Sequence, residues 1–319
     1  MKDGRLKTIL QSIGPINRII IRSKEKEHRI SLGNENPDKI FYVIRRNAPN
    51  AGLFSFVITN MGWIRYALDR GYIPVIDMQY YYNTYLTKDQ VRHVNAWEYY
   101  FQQPCGYSLQ DISASKNVII SSLNAAKDNP DPRDQNEMRD WISLAHTVLR
   151  FQPEVHEEVK RQKELLMGGE RVLGVLCRGT DYSEIKPKGH PVQPVAENVI
   201  EKAREMMQKQ NCTKLFLATE DEAVYQKFYR AFPEQLLTYS DRITDTGGKY
   251  INEYVDHLLE QRQDQSAQKY RRGLNYAITI GLLSSCCSLV AGQVSGTTGA
   301  ILLADHYEDV YLFDLGNYS

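Results

Sequence analysis

The sequence predicts an α/β protein built from two doubly wound units, on three observations. Short continuous apolar runs recur, the clearest being Val172 to Cys177 (V-L-G-V-L-C) and Lys214 to Ala218 (K-L-F-L-A). Runs of that length, bounded by turn residues, fit strands buried on both faces of a parallel sheet. Segments of helical period lie between them, such as Pro194 to Gln210 with Val195, Val199, Ala203 and Met206 on one face. Strand, loop, helix and strand then follow one another in both halves, the alternation that gives parallel βαβ units. With 319 residues there is room for two domains, expected over residues 1–160 and 161–319.

In chain order, Lys39 to Arg45 (K-I-F-Y-V-I-R) is a strand by its β-branched and aromatic content. The turn-rich Asn47 to Gly52 follows, then a helix over Leu53 to Asp69 that Gly71 stops, and a strand over Tyr72 to Asp77. Tyr80 to Tyr85, Tyr99, Tyr100 and Tyr107 make an aromatic loop region, which suits either a sugar-binding surface or packing at a domain seam. Asn117 to Ser122 is a further strand, and Asp134 to Phe151 and Val155 to Leu166 are helices that bridge to the second half. There, strands are expected at 172–177, 214–218, 236–239, 288–291 and 310–313, and helices at 194–210, 221–232, 270–285 and 297–305.

Lysine plus arginine equals aspartate plus glutamate, 39 each, so no global field favours nucleic acid or an acidic partner. No run reaches the roughly 18 apolar residues of a spanning helix, and no apolar signal segment opens the chain. The five cysteines form no C-x-x-C pair and no zinc-like cluster. An odd number of cysteines in apolar runs implies reduced thiols and a cytoplasmic setting. Met1 to Leu32 interleaves Lys2, Arg5, Lys7, Arg18, Arg22, Lys24 and Lys26 with isoleucines. That pattern fits either peripheral contact with an anionic membrane or an ordinary arm, and Gly14-Pro15 interrupts any single amphipathic helix. No motif falls in the first 30 or so residues, so they are expected to be dispensable for folding.

Three strand-end loops in the second half carry the polar residues: R-G-T-D (178–181), T-E-D (219–221) and Q-V-S-G-T-T-G (293–299). In open α/β sheets, ligands bind outside the carboxyl ends of the strands. An arginine there offers a planar charged fork to phosphate, and small residues before a helix can present amides to the same group. Each loop also has a plainer reading: Arg178 and Asp181 as an ion pair, and Ser295, Thr297 and Thr298 as helix caps. Together they point to a nucleotide-diphosphate site. There is no G-x-x-x-x-G-K-S/T loop, no G-x-G-x-x-G fingerprint and no D-x-D pair for a metal.

Arg178 to Asp181 after a strand resembles the arginine motif of the GT-B fucosyltransferase superfamily, which takes in α-1,6-fucosyltransferases, rhizobial chitin-oligosaccharide fucosyltransferases and protein O-fucosyltransferases. Leu215 to Asp221 (L-F-L-A-T-E-D) is similar to its second strand-end motif, and Leu289 to Thr298 (L-V-A-G-Q-V-S-G-T-T) to its third. Asn50 to Phe54 (N-A-G-L-F) resembles the acceptor-side loop of its first domain. The chain departs from the α-1,6 members at Leu176, where they have histidine, at Gly179, where they have a second arginine, and near Thr279, where they have aspartate.

The resemblance implies two Rossmann-like domains facing each other across a cleft, with the acceptor on the first and the nucleotide sugar on the second. It implies inverting, metal-independent transfer of a sugar, fucose from GDP-fucose, to a glycan or polysaccharide, in a bacterial enzyme that needs no further cofactor. Donor binding would fall to Arg178, Thr219, Glu220, Asp221, Ser295, Gly296, Thr297 and Thr298. Asp181, Glu184 and His190 are candidate bases beside Arg178, and Asn50, Gly52 and Phe54 would serve the acceptor side. Another nucleotide-sugar donor, or a non-catalytic glycan- or nucleotide-binding protein on the same scaffold, are the alternatives.

Overall fold

The computed structural model describes residues 26–123, 126, 128–179, 186, 188–239 and 265–319. The first half holds β1 (His28–Ile30), β2 (Phe41–Arg45), α1 (Leu53–Leu68), β3 (Ile73–Asp77), β4 (Val118–Ile120) and α2 (Gln135–Val148). Its sheet has the order β1-β4-β2-β3. β2 is parallel to β3 and β4, as the βαβ reading expects, and Arg45 is the register partner of Asp77. β1 was not expected: it pairs antiparallel with β4, His28 opposite Ile120. The Tyr42 hydroxyl donates to the Glu27 carboxylate at 2.7 Å. Residues 27–30 therefore belong to the folded unit, against the expectation that the arm is dispensable up to about residue 30; the basic stretch 1–25 of that arm lies outside the described residues.

After α3 (Pro153–Met167), the second half runs β5 (Val172–Leu176), α4 (Ala196–Lys209), β6 (Lys214–Ala218), α5 (Glu222–Ala231), β7 (Leu236–Leu237), α6 (Gln265–Ser284), β8 (Ser288–Gly292), α7 (Ser295–Leu303) and β9 (Asp309–Phe313). Its sheet is parallel throughout, in the order β7-β6-β5-β8-β9. α3 opens on Pro153 and closes on Gly168 at φ 51°, a left-handed position that suits glycine. The expected domain boundary at 160/161 falls inside α3, whose Val159 meets Gly281 of α6.

Strand alternation explains the layers. Leu173, Val175, Leu215, Leu217 and Val290 face α4 and α5 in one core cluster. The opposite face of the same sheet, with Leu176, Phe216, Ala218, Leu289 and Ala291, joins a larger cluster that also holds Tyr42 and Ile44 of β2. That larger core is continuous between the two sheets and includes residues of α1, α3, α6 and α7. Each fully buried leucine or phenylalanine in it contributes roughly 1.5–3 kcal/mol. The tyrosine cluster divides along this line. Tyr85 and Tyr100 are buried, Tyr100 stacks on Tyr270 at 6.0 Å, and its hydroxyl donates to the Tyr270 carbonyl at 3.0 Å. These rings pack the seam against α6. Tyr80 and Tyr82 remain partly exposed at the end of β3, with the Arg45 guanidinium 4.0 Å from the Tyr80 ring centroid.

Candidate functional site

β5 lies between β6 and β8, with Leu176 in register with Ala218 on one side and Ala291 on the other. The three polar loops therefore begin side by side at one edge of the sheet. At the first, Arg178 Nε lies 3.1 Å from Glu220 Oε1, and both side chains are 26% exposed. The Gly179 N–H donates to the same carboxylate oxygen at 3.3 Å. A Cβ at Gly179 would collide with the Asp221 side chain. That close approach accounts for glycine at this position: the loops after β5 and β6 touch where a larger residue would hold them apart. Arg178 thus pairs with Glu220. Asp181 and Glu184, expected beside it, lie outside the described residues together with Thr180.

Asp221 is the N-cap of α5. Its carboxylate accepts the Val224 N–H at 3.0 Å, and it is buried. Its own N–H donates to the Thr219 hydroxyl at 3.2 Å. Of T-E-D, then, Thr219 and Asp221 shape the helix start, and Glu220 is the member turned to the arginine. The buried Cys177 thiol beside them is pushed up to about 12 by burial first and by the Glu220 and Asp221 charges second, so it stays protonated.

The third loop is built differently from the helix-cap reading. α7 begins at Ser295, its N-cap is Val294, and no side chain caps it. The first intrahelical bond runs from the Thr298 N–H to the Val294 carbonyl at 3.2 Å. The amides of Ser295, Gly296 and Thr297 precede it, at the positive end of the helix dipole. Thr297 is fully buried, and its hydroxyl donates to the Gly292 carbonyl at 2.6 Å, so it closes the loop. Thr298 is buried as well, while Ser295 is half-exposed. A Cβ at Gly296 would meet the Tyr276 hydroxyl, which brings α6 up to the first turn of α7.

The first half meets this loop directly. The Phe54 ring fills the space beside Gly299, where a Cβ would clash with it, and packs edge-on against Tyr276 at 5.4 Å. Phe54 is 1% exposed, so it serves the seam rather than an acceptor. Asn50 and Gly52 are exposed at the start of α1, with open space around Gly52. Arg46, which sequence reasoning did not single out, donates to the Ser55 carbonyl at 2.7 Å and to its hydroxyl at 3.0 Å; burial lowers its pKa. Tyr85, read in the sequence only as one of the clustered tyrosines, bonds the Leu53 backbone through its hydroxyl beside Arg272, and burial pushes it up to about 12. No local pattern announces these partners, because they lie on α1 and on α6.

His190 is exposed. Its carbonyl accepts the Tyr318 N–H at 2.9 Å, and the Gly189 N–H donates to the Tyr318 carbonyl at 2.9 Å. The C-terminal residues thus pin the return of the first loop. From there Gln193 reaches the third loop, its amide donating to the Gln293 carbonyl at 3.1 Å. Among the described residues no group of three or more His, Cys, Asp or Glu side chains is placed to hold a metal.

Two α/β units packed through a shared helical layer, with polar loops gathered at the carboxyl ends of the second sheet, define a GT-B-like fold. Solved structures of that class match it. The NodZ alpha-1,6-fucosyltransferase soaked with GDP-fucose aligns with a TM-score of 0.52 at 16% identity, over 88% of this chain and 97% of its own. Fucosyltransferase NodZ from Bradyrhizobium gives 0.50 at 15% identity, over 83% of this chain and 94% of its own. POFUT1 in its apo form gives 0.54 at 10% identity, over 88% and 99%. At these identities the shared property is the fold. No family model and no curated protein sequence matches the chain.

Proposed function

We propose that the chain is a glycosyltransferase that takes a nucleoside-diphosphate sugar, GDP-fucose, and transfers the sugar with inversion and without a metal to a glycan acceptor. The observation that carries this reading is the convergence of Arg178 and the opening amides of α7 on adjacent strand ends. A diphosphate leaving group gains charge as its bond to the anomeric carbon breaks. The guanidinium and helix end would stabilise that charge as preorganised donors, an effect worth about 3–4 kcal/mol per donor in comparable sites. Glu220 would hold Arg178 at the mouth until the donor competes for it. The acceptor hydroxyl loses its proton to a base, for which Asp181, Glu184 and His190 are the candidates. The donor assignment rests on the three motifs and on solved structures of this fold that hold GDP or GDP-fucose.

A thermal-shift panel tests it, since a ligand that binds only the native state raises the melting point. GDP is expected to stabilise more than UDP, CMP or ADP; equal shifts with all four would remove the donor assignment. Slow GDP release from GDP-fucose in EDTA, without acceptor, is the expected catalytic signature. Binding with no turnover under any acceptor would favour the reading as a nucleotide-binding protein.

A further inference from the structure

Five cysteines lie in the chain, and all are free thiols. Two of them touch: the Cys212 and Cys287 sulfurs are 3.2 Å apart. They come from separate loops, Cys212 just before β6 and Cys287 just before β8, and so flank the start of β5. Both loops are tied to that strand, the Thr213 N–H donating to the Arg171 carbonyl at 2.9 Å and the Cys287 N–H to the Val172 carbonyl at 3.0 Å. This is the amino edge of the sheet, opposite the polar loops.

We propose that Cys212 and Cys287 form a reversible disulfide, a redox modification site whose oxidant is a low-molecular-weight disulfide. Bond formation needs the sulfurs to close by about 1 Å, to roughly 2.05 Å, with the two backbones already held in place. Cys287 is partly exposed and Cys212 is 9% exposed, so Cys287 is the thiol an oxidant reaches. Its thiolate attacks one sulfur of the oxidant and expels one small thiolate, leaving a mixed disulfide. Cys212 then gives up its proton and attacks the Cys287 sulfur, and the second small thiolate leaves. Two protein thiols are oxidised, one disulfide is reduced, and the two released thiolates take up the protons.

The charged groups at this corner are Arg171 and Glu308, paired at 2.8 Å. Burial pushes Cys212 up to about 12, with Arg171 acting the other way, so the second step is slow at neutral pH. The neighbouring Cys286 cannot substitute. It is buried, and its side chain lies against Gly174, in the core cluster on the other face of the sheet.

The test is to incubate the native chain with oxidised glutathione and then map its unreduced peptides by mass. The expected product carries a Cys212–Cys287 cross-link, has lost both of those thiols when labelled in denaturant, and reverts with dithiothreitol. Its melting midpoint is expected to rise by roughly 5 °C or more, because the cross-link encloses β6 through α6. Cys286→Ser should form the same link, and Cys212→Ser should stop at a glutathione adduct on Cys287. A persistent glutathione adduct on Cys287 in the unaltered chain, a link through Cys286, or free Cys212 and Cys287 thiols after prolonged oxidation would each overturn the proposal; the peptide map of the unaltered chain decides even where a variant fails to fold.

Discussion

At the residue scale the site turns on Arg178, which the sequence marks by its place after a strand, and on Glu220, which it does not mark as the partner. Arg178→Lys keeps the charge and removes the planar fork. If the fork grips a leaving diphosphate, the turnover number falls by roughly 100-fold or more while stability holds. If Arg178 serves only the 3.1 Å pair with half-buried Glu220, lysine substitutes and turnover stays near normal. Donor turnover beside a melting curve separates the two. Asp221 has a structural duty that can be measured apart from any ligand. Asp221→Ala removes the cap on α5 and is expected to cost about 1 kcal/mol, with Asp221→Asn restoring most of it. Urea unfolding reads the difference, and loss of nucleotide affinity in the asparagine variant would show that the carboxylate also meets the donor. Thr297 shows the limit of motif reading: a hydroxyl in a phosphate-like loop is spent on the Gly292 carbonyl, a bond that depends on where the helix starts.

At the element scale, β5, β6 and β8 were legible because parallel strands buried on both faces read as unbroken apolar runs, and the half-buried edge strands β7 and β9 by their place in the alternation. β1 was not, since H-R-I is a short edge segment defined only by its pairing with β4, far along the chain. The seam between the halves was hidden for a similar reason. Phe54 reads locally as part of an acceptor-side loop and Gly299 as the end of a phosphate-type loop, and only the fold sets that ring against a helix that has no side chain there. Gly299→Ala is therefore expected to destabilise by about 1–3 kcal/mol through overpacking, although alanine is the better helix former. Phe54→Leu should cost stability alone yet recover part of the loss when combined with Gly299→Ala. A double-mutant cycle in urea measures that coupling, and simple additivity would mean that α1 and α7 do not share this contact.

At the scale of the whole molecule, the titrating groups set a stability profile with unequal limbs. On the acid side, Asp309 and Glu308 are held below the ordinary carboxylate range, each first by a side-chain hydrogen bond, to Lys209 and to Arg171 respectively. Below about pH 4 the unfolded chain takes up protons that these groups resist when folded, so stability is lost as pH falls. Glu308 is exposed and Asp309 partly so, solvent screens both, and the limb is expected to be shallow. On the alkaline side the groups are buried. Cys177 and Tyr85 are each pushed up to about 12 by burial, and Tyr42 is raised by burial and by its bond to Glu27. Above roughly pH 8.5 for a thiol and pH 10 for a phenol, the unfolded chain releases protons that the native state retains. The native state then binds more protons than the unfolded one, so stability falls as pH rises. Melting midpoints in reductant should hold steady from about pH 5 to 8 and drop steeply beyond about pH 9, and Cys177→Ala should make that drop shallower without abolishing it, because burial also raises the Cys212 and Cys286 thiols. A midpoint that stays level to pH 10.5 would mean that Cys177, Cys212 and Cys286 ionise freely within the fold, against the burial that raises all three.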